Sequence, residues 1–388
     1  MYWRLSSFYF FYFAALGTLW PYWGPYLKTL GFSEVEIGEL VAIIMVTKVV
    51  APYLWGWIAD RSGQRMRIVR LASFIATISF AGIFFGHGYT WMVLIMSVYS
   101  FFWNAALPQF EATTMTHLGE RSQHYSSIRL WGSIGFIAAV ASLGPIISTY
   151  GIGIIPWIFI GLLAAIWLAS LWVPEKVAGH LSLGHEPIGS VLCQPAVIGL
   201  FIVCFLLQAS HGPYYTFYSI YLQEHDYSFN TIGGLWALGV MAEVAVFLYM
   251  YRLLPRYGER TLMVASLLLT TLRWLMIAYG VTHPVVLVLA QLLHAASFGV
   301  YHAVAISLIH RYFIGRHQGR GQALYSGLSF GAGGACGSLL SGYLWVDLGA
   351  DLTFVIAAFM SLVAVLIAWW LLPPVQPLED RRICNNRL

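Results

Sequence analysis

Eight side chains able to carry a charge or exchange a proton stand in stretches that are otherwise apolar. Lys48 lies in IIMVTKVVAPYLW, residues 43–55, between Val46, Thr47, Val49 and Val50, with no acid nearby in sequence. Glu111, Arg129, His211, Glu243, Arg273, His294 and His302 occupy comparable runs. These types suit charge pairing, recognition of an anion or of hydroxyl groups, and proton exchange. They do not suit bond-making chemistry. There is no HExxH motif, nucleophile elbow or cluster at metal-ligand spacing, so no enzyme, metal or cofactor is expected.

The elements that hold these residues follow from composition. The 388 residues are 59% hydrophobic, 16% aromatic and 9% charged, against about 25% charged in soluble domains. So few charges cannot cover a water-soluble protein of this size, and lipid is the solvent expected. The net charge of +4 gives no sign of a nucleic-acid partner. The four cysteines are scattered and suggest neither disulfides nor a metal site. The opening MYWRLSSFYFFYFAALGTLWPYW reads as a retained first helix, because its apolar run is too long for a signal peptide and no small-residue cleavage site follows.

About 20 apolar residues cross a bilayer as helix. Twelve such stretches can be marked, roughly 5–27, 36–57, 68–86, 90–117, 125–149, 152–173, 197–222, 230–252, 261–281, 284–310, 321–346 and 351–372. The Pro-, Gly- and His-rich segment 174–196 is the expected cytoplasmic linker between an N-terminal six-helix bundle, 1–173, and a C-terminal one, 197–388. Of the 20 Lys and Arg residues, sixteen fall on one side of these spans, among them Arg4, Arg61, Arg65, Arg67, Arg70, Arg121, Lys176, Arg252, Arg256, Arg260, Arg311, Arg316, Arg320, Arg381, Arg382 and Arg387. Lys28 alone lies opposite, and Lys48, Arg129 and Arg273 fall within spans. Positive charge marks the cytoplasmic side, so both termini are expected there.

The chain also repeats itself. YLKTLGFSEVEIGELVA at 26–42 matches YLQEHDYSFNTIGGLWA at 221–237, pairing Tyr26 with Tyr221, Ser33 with Ser228, and Ile37-Gly38 with Ile232-Gly233. The same offset of 195 pairs Gly63 with Gly258, Arg65 with Arg260 and Gly132 with Gly327. It also pairs Lys48 with Glu243, at equivalent mid-span depth. Parallel six-helix repeats are one plan of secondary transporters, with the binding site between the halves near the midplane.

Several motifs carry a more specific resemblance. GWIADRSGQRMR at 56–67 resembles the loop signature of the major facilitator superfamily between its second and third helices, with RYGER at 256–260 as a degenerate echo. YSSIRLWGSIGF at 125–136 resembles the start of helix 5 in the branch containing the lactose permease, nucleoside–proton symporters and phenylpropionate permeases. QLLHAASFGVYHA at 291–303 and GRGQALYSGLSFG at 319–331 look most like the phenylpropionate branch. The resemblance covers essentially the whole chain and implies twelve transmembrane helices in two pseudo-symmetric bundles.

It also implies roles. Glu111 and Arg129 match a pair that binds sugar hydroxyls in the lactose permease, although Phe136 stands where a sugar-stacking Trp is found there. From sequence depth the two can pair, and a purely structural ion pair is an equal reading. Glu243, Arg273 and His294 match a Glu, an Arg and a His of that permease, while Ser297 replaces the acid one turn beyond its histidine. Glu243 is the expected proton carrier and His294 its rival. Asp60, Arg61, Gly63 and Arg65 are expected to act in gating. Tyr22 and Tyr26, one turn apart near Pro21 and Pro25, and His211, Tyr215 and Tyr218 at i, i+4 and i+7, join Lys48, Arg273 and His302 as candidate substrate contacts. The Gly212-Pro213 step should break the seventh span. The expected function is proton-coupled uptake of a small organic anion by a monomer in a bacterial inner membrane. An aromatic carboxylate such as 3-phenylpropionate is the substrate that the resemblance implies. The alternatives are a sugar or nucleoside symporter, or drug efflux.

Overall fold

The computed structural model describes residues 1–176 and 188–374, so positions 177–187 of the expected linker and the basic residues Arg381, Arg382 and Arg387 lie outside the described residues. The first half holds α1 (Tyr2–Thr29), α2 (Glu34–Ser62), α3 (Arg65–Phe80), α4 (Tyr89–Leu118), α5 (Tyr125–Tyr150) and α6 (Ile155–Leu171). In the second half α7 comes in two pieces, Pro195–Ser210 and Gly212–Glu224. It is followed by α8 (Phe229–Tyr257) and α9 (Glu259–Gly280). The next span, α10, starts as Pro284–Leu292, passes through a π-helical stretch, Ala295–Val300, and ends as Tyr301–Tyr312. The last helical run covers Gln318–Ser326, a second π stretch Gly327–Gly333, and Gly334–Leu371. Gly349, at φ 83°, turns the chain inside that run and divides α11 from α12. These are the twelve helices expected.

The internal repeat marks helix ends and close contacts. Ser33 caps α2, its hydroxyl accepting from Glu36 N at 3.4 Å while Glu36 accepts from Ser33 N at 2.8 Å, a reciprocal capping box. Its repeat partner Ser228 caps α8, accepting from Thr231 N at 3.2 Å. Gly63 ends α2 at φ 67° and Gly258 ends α8 at φ 75°, a conformation that costs a side-chain-bearing residue energy. Capping thus fixes where the second helix of each half begins and ends.

The two halves meet mainly at one end, the end remote from the arginine-rich loops, called distal below. There α1 packs on the second piece of α7, α2 on α11, and α5 on α8. A Cβ on Gly38 would lie 2.8 Å from the Ser338 carbonyl, and one on Gly144 2.7 Å from that of Phe229. The main buried cluster runs through the whole first half but takes from the second only distal residues such as Tyr214–Leu222, Trp236, Trp274 and Trp345. A second cluster, including Leu200, Met263, Leu308 and Tyr325, belongs to the second half alone. Side-chain bonds across the halves are distal as well. Lys28 Nζ reaches Glu224 at 2.7 Å and Glu34 at 3.0 Å. Glu39 accepts from Tyr343 of α11 at 3.0 Å and also from Tyr89 of α4. The halves therefore share a core at the distal end and separate toward the arginine-rich end.

Candidate functional site

Polar residues at mid-depth fall into three groups around the junction of the halves. The first contains Lys48. Its ammonium lies 5.9 Å from the centroid of Trp20 in α1, and no acid pairs with it among the described residues. Trp20 meets Tyr215 of the opposite half at 5.4 Å between centroids, with the planes tilted by 48°. Tyr215 in turn stacks on His211 at 5.9 Å. Lys48, Trp20 and Tyr215 are all partly exposed although they sit deep in the molecule. His211 is fully buried, its Nδ1 is 2.8 Å from the Leu207 carbonyl, and its Nε2 has no partner among the described residues. The geometry makes Nδ1 the protonated nitrogen and leaves Nε2 as an unused acceptor.

The second group lies in the first half. Glu111 and Arg129 pair at 3.5 Å, as expected from their depths, and both remain about one-third exposed, at 36% and 31%. The guanidinium covers the ring of Phe13 at 4.0 Å. Gly132 makes the room, because a Cβ there would lie 2.9 Å from an Arg129 nitrogen.

In the second half, Glu243 sits 3.5 Å from His294 Nε2. His294 stacks on Phe298 at 5.6 Å, and Phe298 on His302 at 5.9 Å, so three rings follow one another along α10 across its π-helical stretch. His302 Nδ1 bonds to Tyr325 Oη at 2.9 Å. Lys48 and Glu243 are repeat partners, but the structure pairs Glu243 with His294 and Lys48 with no acid.

Arg273 is placed differently from the candidates that border the junction. It is fully buried, between Tyr214 at 4.2 Å and Trp274 at 4.6 Å. Its nitrogens donate to the Ala290 carbonyl at 3.0 Å, Ser297 Oγ at 2.9 Å and Gln291 Oε1 at 3.3 Å. Ser297, which stands where the lactose permease has an acid, here accepts from the guanidinium. A buried cation held only by neutral acceptors is costly and contributes a fixed positive field behind His294 and His211.

Three tyrosines sit away from Lys48. The Tyr22 hydroxyl donates to the Val140 carbonyl at 2.8 Å, and Tyr26 packs on Trp23 at 5.2 Å. Tyr218 is buried against Tyr214 at 5.0 Å. Of the expected stripe His211–Tyr215–Tyr218, Tyr215 stacks on His211 while Tyr218 is buried against Tyr214. The chain breaks at His211, as expected from Gly212-Pro213, and of the three residues Tyr215 is the one that is partly exposed. Trp20, Phe298, Gln291 and Tyr325 carry much of the geometry and were not singled out from sequence. An aromatic residue or a glutamine within an apolar run gives no signal until its neighbours are known.

At the arginine-rich end Asp60 pairs with Arg65 at 2.8 Å and Arg61 lies over Trp57 at 4.3 Å. Glu175, just past α6, caps α3 by accepting from Met66 N at 2.9 Å and Arg67 N at 3.2 Å, where an anion meets the positive end of the helix dipole. In the second half Glu259 pairs with Arg311 and accepts from Ser307 at 2.9 Å. All of these bonds stay within one half.

Comparison with known proteins agrees with the fold. The MFS_1-like family matches residues 2–356. A protein of Escherichia coli (strain K12) described as a probable 3-phenylpropionic acid transporter is 30% identical over 379 residues, covering 95% of this chain and 96% of its own. The maltose permease of Geobacillus stearothermophilus is 24% identical over 363 residues, covering 93% and 92% of the two chains. Among solved structures, the nucleoside transporter NupG, as its D323A mutant, superposes with a TM-score of 0.85 at 20% identity, over 96% of this chain and 100% of that one. The extent of these matches, added to the twelve-helix architecture, shows that the chain belongs to the MFS_1-like family of major facilitator transporters.

Proposed function

We propose that this transporter carries a small aromatic carboxylate together with a proton, into the cell, by alternating access. The observation that supports the reading most is Lys48. A cation in the middle of a membrane costs about 2.5–3.5 kcal/mol even on translocon scales, and this one has an aromatic neighbour in place of an acid. A substrate carboxylate supplies the missing countercharge, with Tyr215 as an apolar wall. The similarity to a probable 3-phenylpropionic acid transporter names the compound to try first. Glu243, with His294 beside it, is the proposed proton carrier. An anion and one proton crossing together move no net charge.

The distribution of basic residues supports cytoplasmic termini in a bacterial inner membrane. On that orientation the distal core shared by the halves faces outside, and Asp60 and Arg65, paired within one half, act when the cytoplasmic side closes. Uptake by proteoliposomes tests the proposal. An inward proton gradient should accumulate labelled 3-phenylpropionate, and collapsing the gradient should release it. Uptake that follows concentration alone would remove the proton from the account.

A second reading rests on Glu111 and Arg129. Their partly exposed pair presents both a donor and an acceptor, a chemistry suited to the hydroxyl groups of a sugar or nucleoside. Competition of maltose or uridine with the carboxylate, abolished by Arg129→Ala, would favour it.

A further inference from the structure

Trp20 contacts Lys48, and its position is specific. It belongs to α1 of the first half and packs on Ala42 and Met45 of that half and on Ala335 of the other. Its ring is partly exposed at mid-depth. One neighbour is the Lys48 ammonium at 5.9 Å and another is Tyr215 of the opposite half at 5.4 Å. The two rings are inclined at 48°, which makes a wedge and not a closed stack. A third ring can meet both at the centroid separations of 4.5–7 Å that aromatic pairs favour.

We infer that Trp20 and Tyr215 form a ring-selecting wedge split between the two halves, with Lys48 set beside it to hold the carboxylate of the same substrate. This rests on the proposed carboxylate reading and adds to it the residue that discriminates aryl from alkyl acids. Three features support it. First, Lys48 approaches the Trp20 ring and no acid. An exposed cation–π contact is weak compared with an ion pair formed out of water, so an arriving carboxylate draws the ammonium away and frees the indole for the substrate ring. Second, anion site and ring site adjoin, as a short arylalkanoate needs. Third, the wedge exists only when α1 and α7 approach each other, so a substrate that fills it contacts both halves at once. A saturated ring of similar size fills the space but lacks the edge-to-face electrostatics of an aryl group.

The test compares 3-phenylpropionate with 3-cyclohexylpropionate by titration calorimetry on purified wild type, Trp20→Leu, Trp20→Phe, Tyr215→Leu and Lys48→Ala. Wild type should prefer the aryl acid by about tenfold, the scale of one well-formed aromatic contact. Trp20→Leu and Tyr215→Leu should bring that ratio close to one while both acids still bind, and Trp20→Phe should retain most of it. Lys48→Ala should weaken both acids together. If Trp20→Leu keeps the wild-type ratio while Lys48→Ala loses both acids, the wedge is wrong and the carboxylate site stands. If wild type binds neither acid, both the wedge and the carboxylate reading are overturned.

Discussion

Gly144 offers a direct way to unbalance the two end states. A Cβ there would lie 2.7 Å from the Phe229 carbonyl oxygen and 2.8 Å from Asn230 Cα. Both are backbone atoms at the start of α8, so no side chain can swing aside. Restoring an ordinary contact of 3.4 Å requires α5 and α8 to part by about 0.7 Å, an overpacking that costs about 1–3 kcal/mol. The cost applies while the distal ends are closed and vanishes once they separate. Gly144→Ala should therefore shift the equilibrium toward the distal-open state by about five- to 150-fold. Spin labels on Tyr150→Cys and Val285→Cys, at distal ends of α5 and α10 and 72% and 71% exposed, report the change by double electron–electron resonance. The native cysteines are replaced first. Wild type should show mainly a short distance, and Gly144→Ala should add a longer one. Gly161→Ala is the control, because nothing lies within 4 Å of its added Cβ. An unchanged distribution in Gly144→Ala, or an equal shift in Gly161→Ala, would refute the argument.

Three further outcomes are expected. Lys28→Ala should shift the same distance distribution less than Gly144→Ala does, because Lys28 and Glu224 are 38% and 41% exposed and such pairs contribute about 0–1 kcal/mol; high salt should reproduce the shift in wild type, and insensitivity to salt would argue against a charge clamp. Asp60→Asn should slow transport, read as initial uptake rate, with substrate affinity within about twofold of wild type by calorimetry, since its partner Arg65 lies in the same half. Glu243→Gln should abolish uphill uptake in proteoliposomes but preserve exchange of labelled for unlabelled substrate. If His294→Gln does this and Glu243→Gln does not, the proton resides on the imidazole.

Much of the architecture was legible because membrane insertion demands it. Twelve apolar runs gave twelve helices, and the matched serines and glycines proved to be caps and close contacts, features fixed by local backbone geometry. Glu111 and Arg129 could be paired from depth alone, since both reach the same level from the same end. The remainder depended on rotation about helix axes. Depth in the span does not say whether a side chain faces the opposite half, its own bundle or lipid. Hence Arg273 proves to be enclosed by Tyr214 and Trp274, and Tyr22 is committed to a carbonyl. Local departures from the α-helix added to this. The chain divides at His211 without separating it from Tyr215, and the π stretch at Ala295–Val300 lies within the run of rings from His294 to His302. No period of 3.6 residues anticipates such a stretch.

A Lys48 that serves as the countercharge of a substrate carboxylate must show itself in equilibrium binding. Titration of 3-phenylpropionate into wild type, Lys48→Ala and Arg129→Ala separates the two cations that border the junction of the halves. Losing one partner of a desolvated charge pair typically costs about 2–5 kcal/mol. Lys48→Ala should therefore bind at least thirtyfold more weakly, about 2 kcal/mol, and Arg129→Ala should change affinity much less, with both variants as thermally stable as wild type. Wild-type affinity in Lys48→Ala, with the loss appearing in Arg129→Ala, would contradict that role of Lys48 and move substrate recognition to the Glu111–Arg129 pair.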